Sequence, residues 1–175
     1  MPTPLCIRRF DTPLGPVIAG ATERGVALLA FEDEGGPAQD LSKLAEDFGE
    51  ALEQGAFPVH DQLQAELAAY FAGALREFTV PIATAGTDFQ QSVWSQLRGI
   101  PYGQTRAYGV LAKALTGDTK ASRAVAAANG QNRLAILVPC HRVVGADGGL
   151  TGYAWGLWRK RALLALERGQ GDLFG

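Results

Sequence analysis

The run Leu134-Ala-Ile-Leu-Val-Pro-Cys-His-Arg-Val143 constrains this chain more than any other stretch. Five apolar residues that read as a buried strand lead into a proline, a thiol and an imidazole in succession. A thiol at the end of such a strand would be held rigidly. Cys140 beside His141 invites reading as a nucleophile with its base, because the thiolate is the attacking species and a free cysteine, with a pKa of about 8.5, is only slightly ionised near neutrality. Successive side chains on an extended chain point to opposite faces, so the pair can cooperate only if the backbone turns or a water bridges them. Pro139 supplies a reason for a turn, since it fixes its own backbone and lacks a donor. The competing reading makes Cys140 a small buried hydrophobe and His141 a hydrogen-bonded core residue. Spacing alone leaves both open.

At 175 residues and 47% hydrophobic, the chain can bury a substantial core, and two domains are expected, residues 1–86 and 87–175. No apolar run approaches the roughly 18 residues that span a bilayer, and the N-terminus lacks a basic segment followed by an apolar core, so no membrane association and a cytoplasmic location are expected. The only cysteines and histidines are Cys6, Cys140, His60 and His141. They offer neither a disulfide framework nor a zinc site, and no metal or cofactor is expected. Charge is divided unevenly: residues 1–87 carry five basic and thirteen acidic side chains, a balance of −8, and residues 88–175 carry eleven and five, a balance of +6. The basic half contains Cys140, which suggests an anionic partner for that half, with nucleic acid the commonest choice; an acidic half solvating a basic one is the alternative.

Three short strands are expected over Leu5 to Phe10, Pro16 to Ala21 and Gly25 to Phe31, separated by turn signals, as an antiparallel meander. Helices follow over about Ala38 to Glu53 and His60 to Ala72, the second with Leu63, Leu67, Tyr70 and Phe71 on one face. Thr87-Asp-Phe-Gln90 has the form of a capping box, opening a helix through Phe89, Val93, Trp94 and Leu97 that closes at Gly99. A short helix over Tyr108 to Leu115, the turn Thr116-Gly-Asp-Thr119 and a helix over Lys120 to Asn129 suggest a helix-turn-helix. The second of these is slim: its outward positions are assigned to Ala121, Ala124, Ala126, Ala127 and Ala128 with one long cation, Arg123. Such a helix can approach a backbone closely, although alanine is also simply the best helix former. A Gly-rich loop, Gly145 to Tyr153, leads to an amphipathic helix over Gly156 to Arg168, apolar at Leu157, Leu163, Leu164 and Leu166, with Glu167 near its end.

From Phe89 to Glu167 the chain closely resembles the O6-alkylguanine-DNA alkyltransferases, also called methylated-DNA-protein-cysteine methyltransferases. The resemblance rests on Phe89-Gln-Gln91, Pro101-Tyr-Gly103 with Tyr108 after it, Ala121-Ser-Arg-Ala-Val125, Asn132, Pro139-Cys-His-Arg-Val143, Gly152-Tyr153 and the Arg159-Lys160 helix ending at Glu167. The expected fold is an α+β N-terminal domain with a three-stranded antiparallel sheet and helices, which resembles the family's N-terminal domain in layout, and a mainly helical, winged-helix-like C-terminal domain. The resemblance implies that Cys140 takes an alkyl group from O6 of guanine, that His141 acts as its base through a water, and that Glu167 orients His141. Asn132 would brace the turn joining Cys140 and His141, Tyr108 would donate towards the purine as charge develops, and Lys160 would support the site electrostatically. The backbone around Val143 and Tyr153 to Ala154 would read the base edge, and Trp155 would narrow the pocket.

A guanine stacked in a duplex cannot present O6 to a buried thiol, so the nucleotide must swing out of the helix. By resemblance, Ala126, Ala127 and Ala128 allow approach to the minor groove of double-stranded DNA, Arg123 fills the vacated space and Tyr108 crowds the neighbouring phosphate. The local positive charge would supply sequence-independent attraction. A monomer acting once, chiefly on O6-methylguanine with O4-methylthymine as a second candidate lesion, and on small alkyl groups in preference to bulky ones, is the expectation; a non-catalytic lesion-binding protein and a Cys-His-Glu thiol hydrolase or acyltransferase are the rivals.

Overall fold

The computed structural model describes residues 4–33, 41–49 and 51–169. Strands β1 (Leu5–Phe10), β2 (Val17–Thr22) and β3 (Gly25–Phe31) form the expected antiparallel meander. The sheet has four strands rather than three, in the order β3-β2-β1-β4, because β4 (Leu52–Gln54) adds to β1 in parallel. This corrects the helix expected over 38–53. Gly49 takes φ +65 and ends α1 (Leu41–Phe48), and the exposed residues after it become an edge strand. Residues 38–40 and 50 of that expected helix lie outside the described residues.

Strands β2 and β3 are buried along their whole length, which requires cover on both faces. Helix α2 (Pro58–Phe71) packs against both. His60 ties it down, accepting from Phe57 N through Nδ1 (2.9 Å) and meeting Ala19 O through Nε2 (3.3 Å). Beyond α2 the chain is pinned by Glu66, whose carboxylate accepts from Thr79 N (2.8 Å), Thr79 Oγ1 (2.8 Å) and Val80 N (3.1 Å).

The outer edge of β3 is not left open. Val26 N donates to Pro81 O (2.9 Å) and Ala83 N to Val26 O (2.9 Å); further along, Leu29 N donates to Arg133 O (2.8 Å) and Ala135 N to Leu29 O (2.9 Å). An unpaired edge strand is thereby closed by two segments of the following chain. One of them is the start of the cysteine-bearing run.

That run is not the strand its composition suggests. Only Leu134 makes a bridge, to Leu29, after which the backbone turns tightly with Ile136 at φ +71, a left-handed conformation unusual for a β-branched residue. Leu134 to Val138 are all buried, so a turn surrounded by core carries the same apolar signature as a strand.

In the second half, α3 (Asp88–Arg98) opens on the predicted capping box, with Gln90 N donating to Thr87 Oγ1 and Thr87 N to Gln90 Oε1. Helix α4 (Tyr108–Thr116) ends at Gly117, which takes φ +80 and permits the sharp turn into a short 3-10 segment, Thr119–Ala121, and then α5 (Ser122–Gly130). This is the helix-turn-helix, with α5 starting two residues later than expected. Ala128 does not face outward as expected: it is buried, and its carbonyl accepts from Trp94 Nε1 (2.9 Å), fastening α5 to α3. Two short parallel strands, β5 (Arg106–Ala107) and β6 (Val143–Val144), hold α4 beside the cysteine-bearing turn. Helix α6 (Leu157–Glu167) is the last element among the described residues, with Leu163 and Leu164 buried and Leu157 exposed rather than on the apolar face. No helix among the described residues is long and apolar enough to cross a membrane.

Candidate active site

Cys140, His141 and Arg142 form a single 3-10 turn after Pro139. Side chains separated by about 120° point in three directions, which is the bend the adjacent Cys-His pair required. Cys140 lies at the wall of a cavity of about 670 Å³. His141 and Arg142 point away from it, into the protein. Asn132 fixes the geometry: its Nδ2 donates to Val138 O (2.9 Å), Leu134 O (3.3 Å) and Cys140 Sγ (3.3 Å), while its Oδ1 accepts from Leu134 N (2.9 Å).

Burial pushes the Cys140 thiol up to about 11, against the opposing effects of the Asn132 hydrogen bond and the Lys160 charge. The thiol is therefore protonated near neutrality. His141 is fully buried, and desolvation lowers its pKa, so the imidazole is neutral. Its Nε2 lies 2.7 Å from Glu167 Oε2, which assigns the ring proton to Nε2, and its Nδ1 is buried without a partner among the described residues. A neutral ring with a bare Nδ1 can accept a proton.

Glu167 is the hub. Besides His141, its Oε2 accepts from Tyr70 Oη (2.6 Å) and Arg142 Nη2 (3.0 Å), and its Oε1 accepts from Arg142 Nε (2.7 Å). Burial alone would raise this carboxyl; the hydrogen bonds and charges of His141 and Arg142 overcome that and hold it well below the usual carboxylate range. Arg142 also donates to Ile100 O (2.7 Å). Sequence reasoning missed both partners. Arg142 had a signal, a cation next to the presumed base; Tyr70, 97 residues from Glu167 and on α2, had none.

Lys160 is fully buried and donates to Thr151 O (2.8 Å) and Gly152 O (3.3 Å), so it shapes the loop that forms one cavity wall while placing its charge near Cys140. Tyr153 and Ala154 line the cavity with Tyr108 at the start of α4 and Arg123 and Ala126 on α5. Arg123, Ala126 and Ala127 are exposed. Val143 and Trp155 are fully buried and are not among the lining residues; Trp155 instead meets the Tyr153 ring edge-on at 5.3 Å. Asn129, which the sequence did not single out, does line the cavity. Among the described residues no group of histidine, cysteine, aspartate and glutamate side chains could hold a metal ion.

Residues 7–84 match the family model for the 6-O-methylguanine DNA methyltransferase ribonuclease-like domain, and residues 88–169 the model for the DNA binding domain of the same proteins. A methylated-DNA–protein-cysteine methyltransferase of Methanosarcina acetivorans is 46% identical over 158 residues, spanning 90% of this chain and 95% of the relative. One from Mycobacterium tuberculosis is 45% identical over 167 residues, spanning 92% and 91%. The crystal structure of Mycobacterium tuberculosis OGT in complex with DNA superposes with a TM-score of 0.82 at 40% identity, covering 97% of each chain. Likeness of this extent, over both halves and in sequence as well as in fold, means that the chain belongs to the 6-O-methylguanine DNA methyltransferase family.

Proposed function

We propose that this protein repairs DNA by moving the alkyl group of O6-alkylguanine, chiefly O6-methylguanine, irreversibly onto its own Cys140. The observation that carries the reading is the position of the Cys140 thiol: at the wall of a cavity bounded by α5, one residue from a neutral imidazole whose Nδ1 is unengaged and whose Nε2 is locked to Glu167.

In the step we infer, His141 Nδ1 takes the thiol proton through one water as Sγ attacks the alkyl carbon. The C–S bond forms, the C–O6 bond breaks and its electron pair stays on the purine, where a hydrogen bond from Tyr108 stabilises the charge; the proton held by His141 then passes through water to the purine, leaving guanine and imidazole both neutral. A thiol with a pKa of about 11 cannot wait as a thiolate, so proton removal accompanies attack. Glu167 holds the ring tautomer and stabilises the imidazolium that forms, Asn132 maintains the turn, and Lys160 favours negative charge on sulfur. The product is a thioether, whose unactivated C–S bond makes the transfer a single event.

Residues 87–175 would carry DNA binding and transfer, and residues 1–86 would support them. Exposed Ala126 and Ala127 suit close approach of α5 to the minor groove, and Arg123 at the cavity mouth suits the space left by a nucleotide turned out of the stack. Ala128, fastened to α3, does not share that role. Binding is sequence-independent and the cytoplasm is the proposed setting. The test is to incubate the protein with an O6-methylguanine duplex and weigh its peptides. One added methyl on Cys140 is expected, with Cys140→Ser inert yet still binding DNA; an unmodified cysteine, or an acyl group on it, would overturn the assignment.

A further inference from the structure

A second cavity, of about 190 Å³, lies behind the turn that carries Cys140, and its lining shares no residue with that of the Cys140 cavity. Pro139 and Arg142, on either side of Cys140 and His141 in the chain, form part of its wall; Arg76, from the segment after α2, and Arg98, the last residue of α3, form others. Tyr102 joins them, with the Arg76 guanidinium carbon 5.3 Å and that of Arg142 5.8 Å from its ring centroid. The charges around this cavity are not matched. Arg142 is nearly fully buried and held by Glu167 and the Ile100 carbonyl. Arg76 and Arg98 are exposed, and neither has a side-chain hydrogen bond or a carboxylate partner among the described residues. Glu77 is the one acid among the lining residues, so three cations face Glu77 and Glu167 and leave a balance of +1.

Size and donor chemistry name the ligand class. The volume falls below the roughly 300–1,000 Å³ of sites for drug-sized ligands, which suits a single small anion. A guanidinium fork matches carboxylate and phosphate alike. Arginines from three separate segments suit the several oxygens of a tetrahedral phosphate better than the two of a flat carboxylate. We propose that this cleft is a second anion site, separate from the Cys140 cavity, which takes one phosphate group through Arg76, Arg98 and Arg142. A free phosphate and a phosphodiester of DNA offer the same chemistry to it. Arg76 belongs to the first half of the chain and the other two arginines to the second, so occupancy ties the halves together and steadies the Pro139 to Arg142 turn from behind.

The experiment follows the thermal midpoint of the whole chain in rising inorganic phosphate, with chloride holding the ionic strength constant, for the wild type, Arg76→Gln, Arg98→Gln and Arg123→Ala. Phosphate stabilises folded proteins in general by exclusion from their surface, and that part is common to all four proteins and does not saturate. A bound phosphate adds a saturable part: at ten times its Kd it favours the folded state by about elevenfold, a rise of about 3–6 °C. The wild type and Arg123→Ala should share one Kd, because Arg123 stands at the other cavity. Each glutamine variant should weaken it by roughly tenfold or more, the weight of one charge-assisted hydrogen bond, and both replaced residues are exposed, so the fold is retained. An undamaged duplex then assigns the source. If it displaces phosphate from the wild type and binds Arg98→Gln more weakly, the ligand is a DNA phosphodiester; if phosphate binds equally well beside it, the ligand is a free phosphate. A wild-type response without a saturable part, glutamine variants that keep the wild-type Kd, or loss of the saturable part in Arg123→Ala would overturn the proposal.

Discussion

Tyr70→Phe removes one oxygen atom from the fully buried Tyr70 and leaves its ring packing intact. That oxygen donates to Glu167 Oε2 at 2.6 Å across 97 residues of sequence. A hydrogen bond to a charged group contributes about 1.5–3 kcal/mol. Glu167 keeps His141 and the two Arg142 contacts after the substitution, so the loss belongs towards the lower end, about 2 kcal/mol. For a chain of this size each kcal/mol moves the midpoint by about 2–4 °C, so Tm should fall by about 4–8 °C. Urea unfolding at neutral pH gives the free energy directly, and calorimetry gives the midpoint. DNA affinity should not change, because Tyr70 is remote from α5 in sequence and does not line the cavity. A loss below about 0.5 kcal/mol would refute the view that Tyr70 joins the N-terminal half to the carboxylate on which His141 depends.

Glu167→Gln should destabilise by about 3–5 kcal/mol at pH 7, because Arg142 becomes a buried cation without its counter-ion. The carboxyl has a folded pKa depressed below its unfolded value of about 4.3, so its stabilisation is complete above that value and is lost as pH falls towards the folded pKa. The gap between wild type and variant in acid titrations should therefore narrow below about pH 4, and a constant gap would contradict the depressed carboxyl. In the free protein, alkylation of Cys140 by iodoacetamide should keep rising with pH to about 11, since burial disfavours the thiolate; a plateau near pH 8.5 would contradict it. Arg123→Ala should slow transfer from duplex DNA by about tenfold or more and leave reaction with free O6-methylguanine within about twofold, because only the duplex must release its base. Equal slowing of both would remove Arg123 from that role.

Features set by local chemistry were legible in the sequence. The Thr87 and Gln90 capping box, the three-strand meander and the Gly117 turn each follow from residues within a few positions of one another. What escaped depends on partners far away. Strand β4 exists because β1 offers an edge, and nothing in Leu52-Glu-Gln54 announces it. The run from Leu134 to Val138 reads as a strand because burial on all sides gives a continuous apolar pattern, whether the backbone is extended or turned. Ala128 reads as outward in the sequence because alanine does not distinguish a solvent face from a close helix contact. At the candidate site, the sequence singles out Cys140, His141 and Glu167, and their mutual placement depends on the 3-10 turn. Asn129 carries no sequence signal as a cavity-lining residue, because its place depends on the assembled wall.

If Cys140 is the acceptor proposed above, its burial has a consequence for a protein that would hold a single reactive equivalent. With 2% of its surface exposed and a pKa of about 11, the sulfur is almost inert towards stray electrophiles and oxidants in its surroundings. An ordinary thiol-dependent catalyst regenerates after each cycle and tolerates some misfiring. Here each premature encounter would retire a molecule for good, so dormancy between encounters with damage sets the working lifetime of the pool.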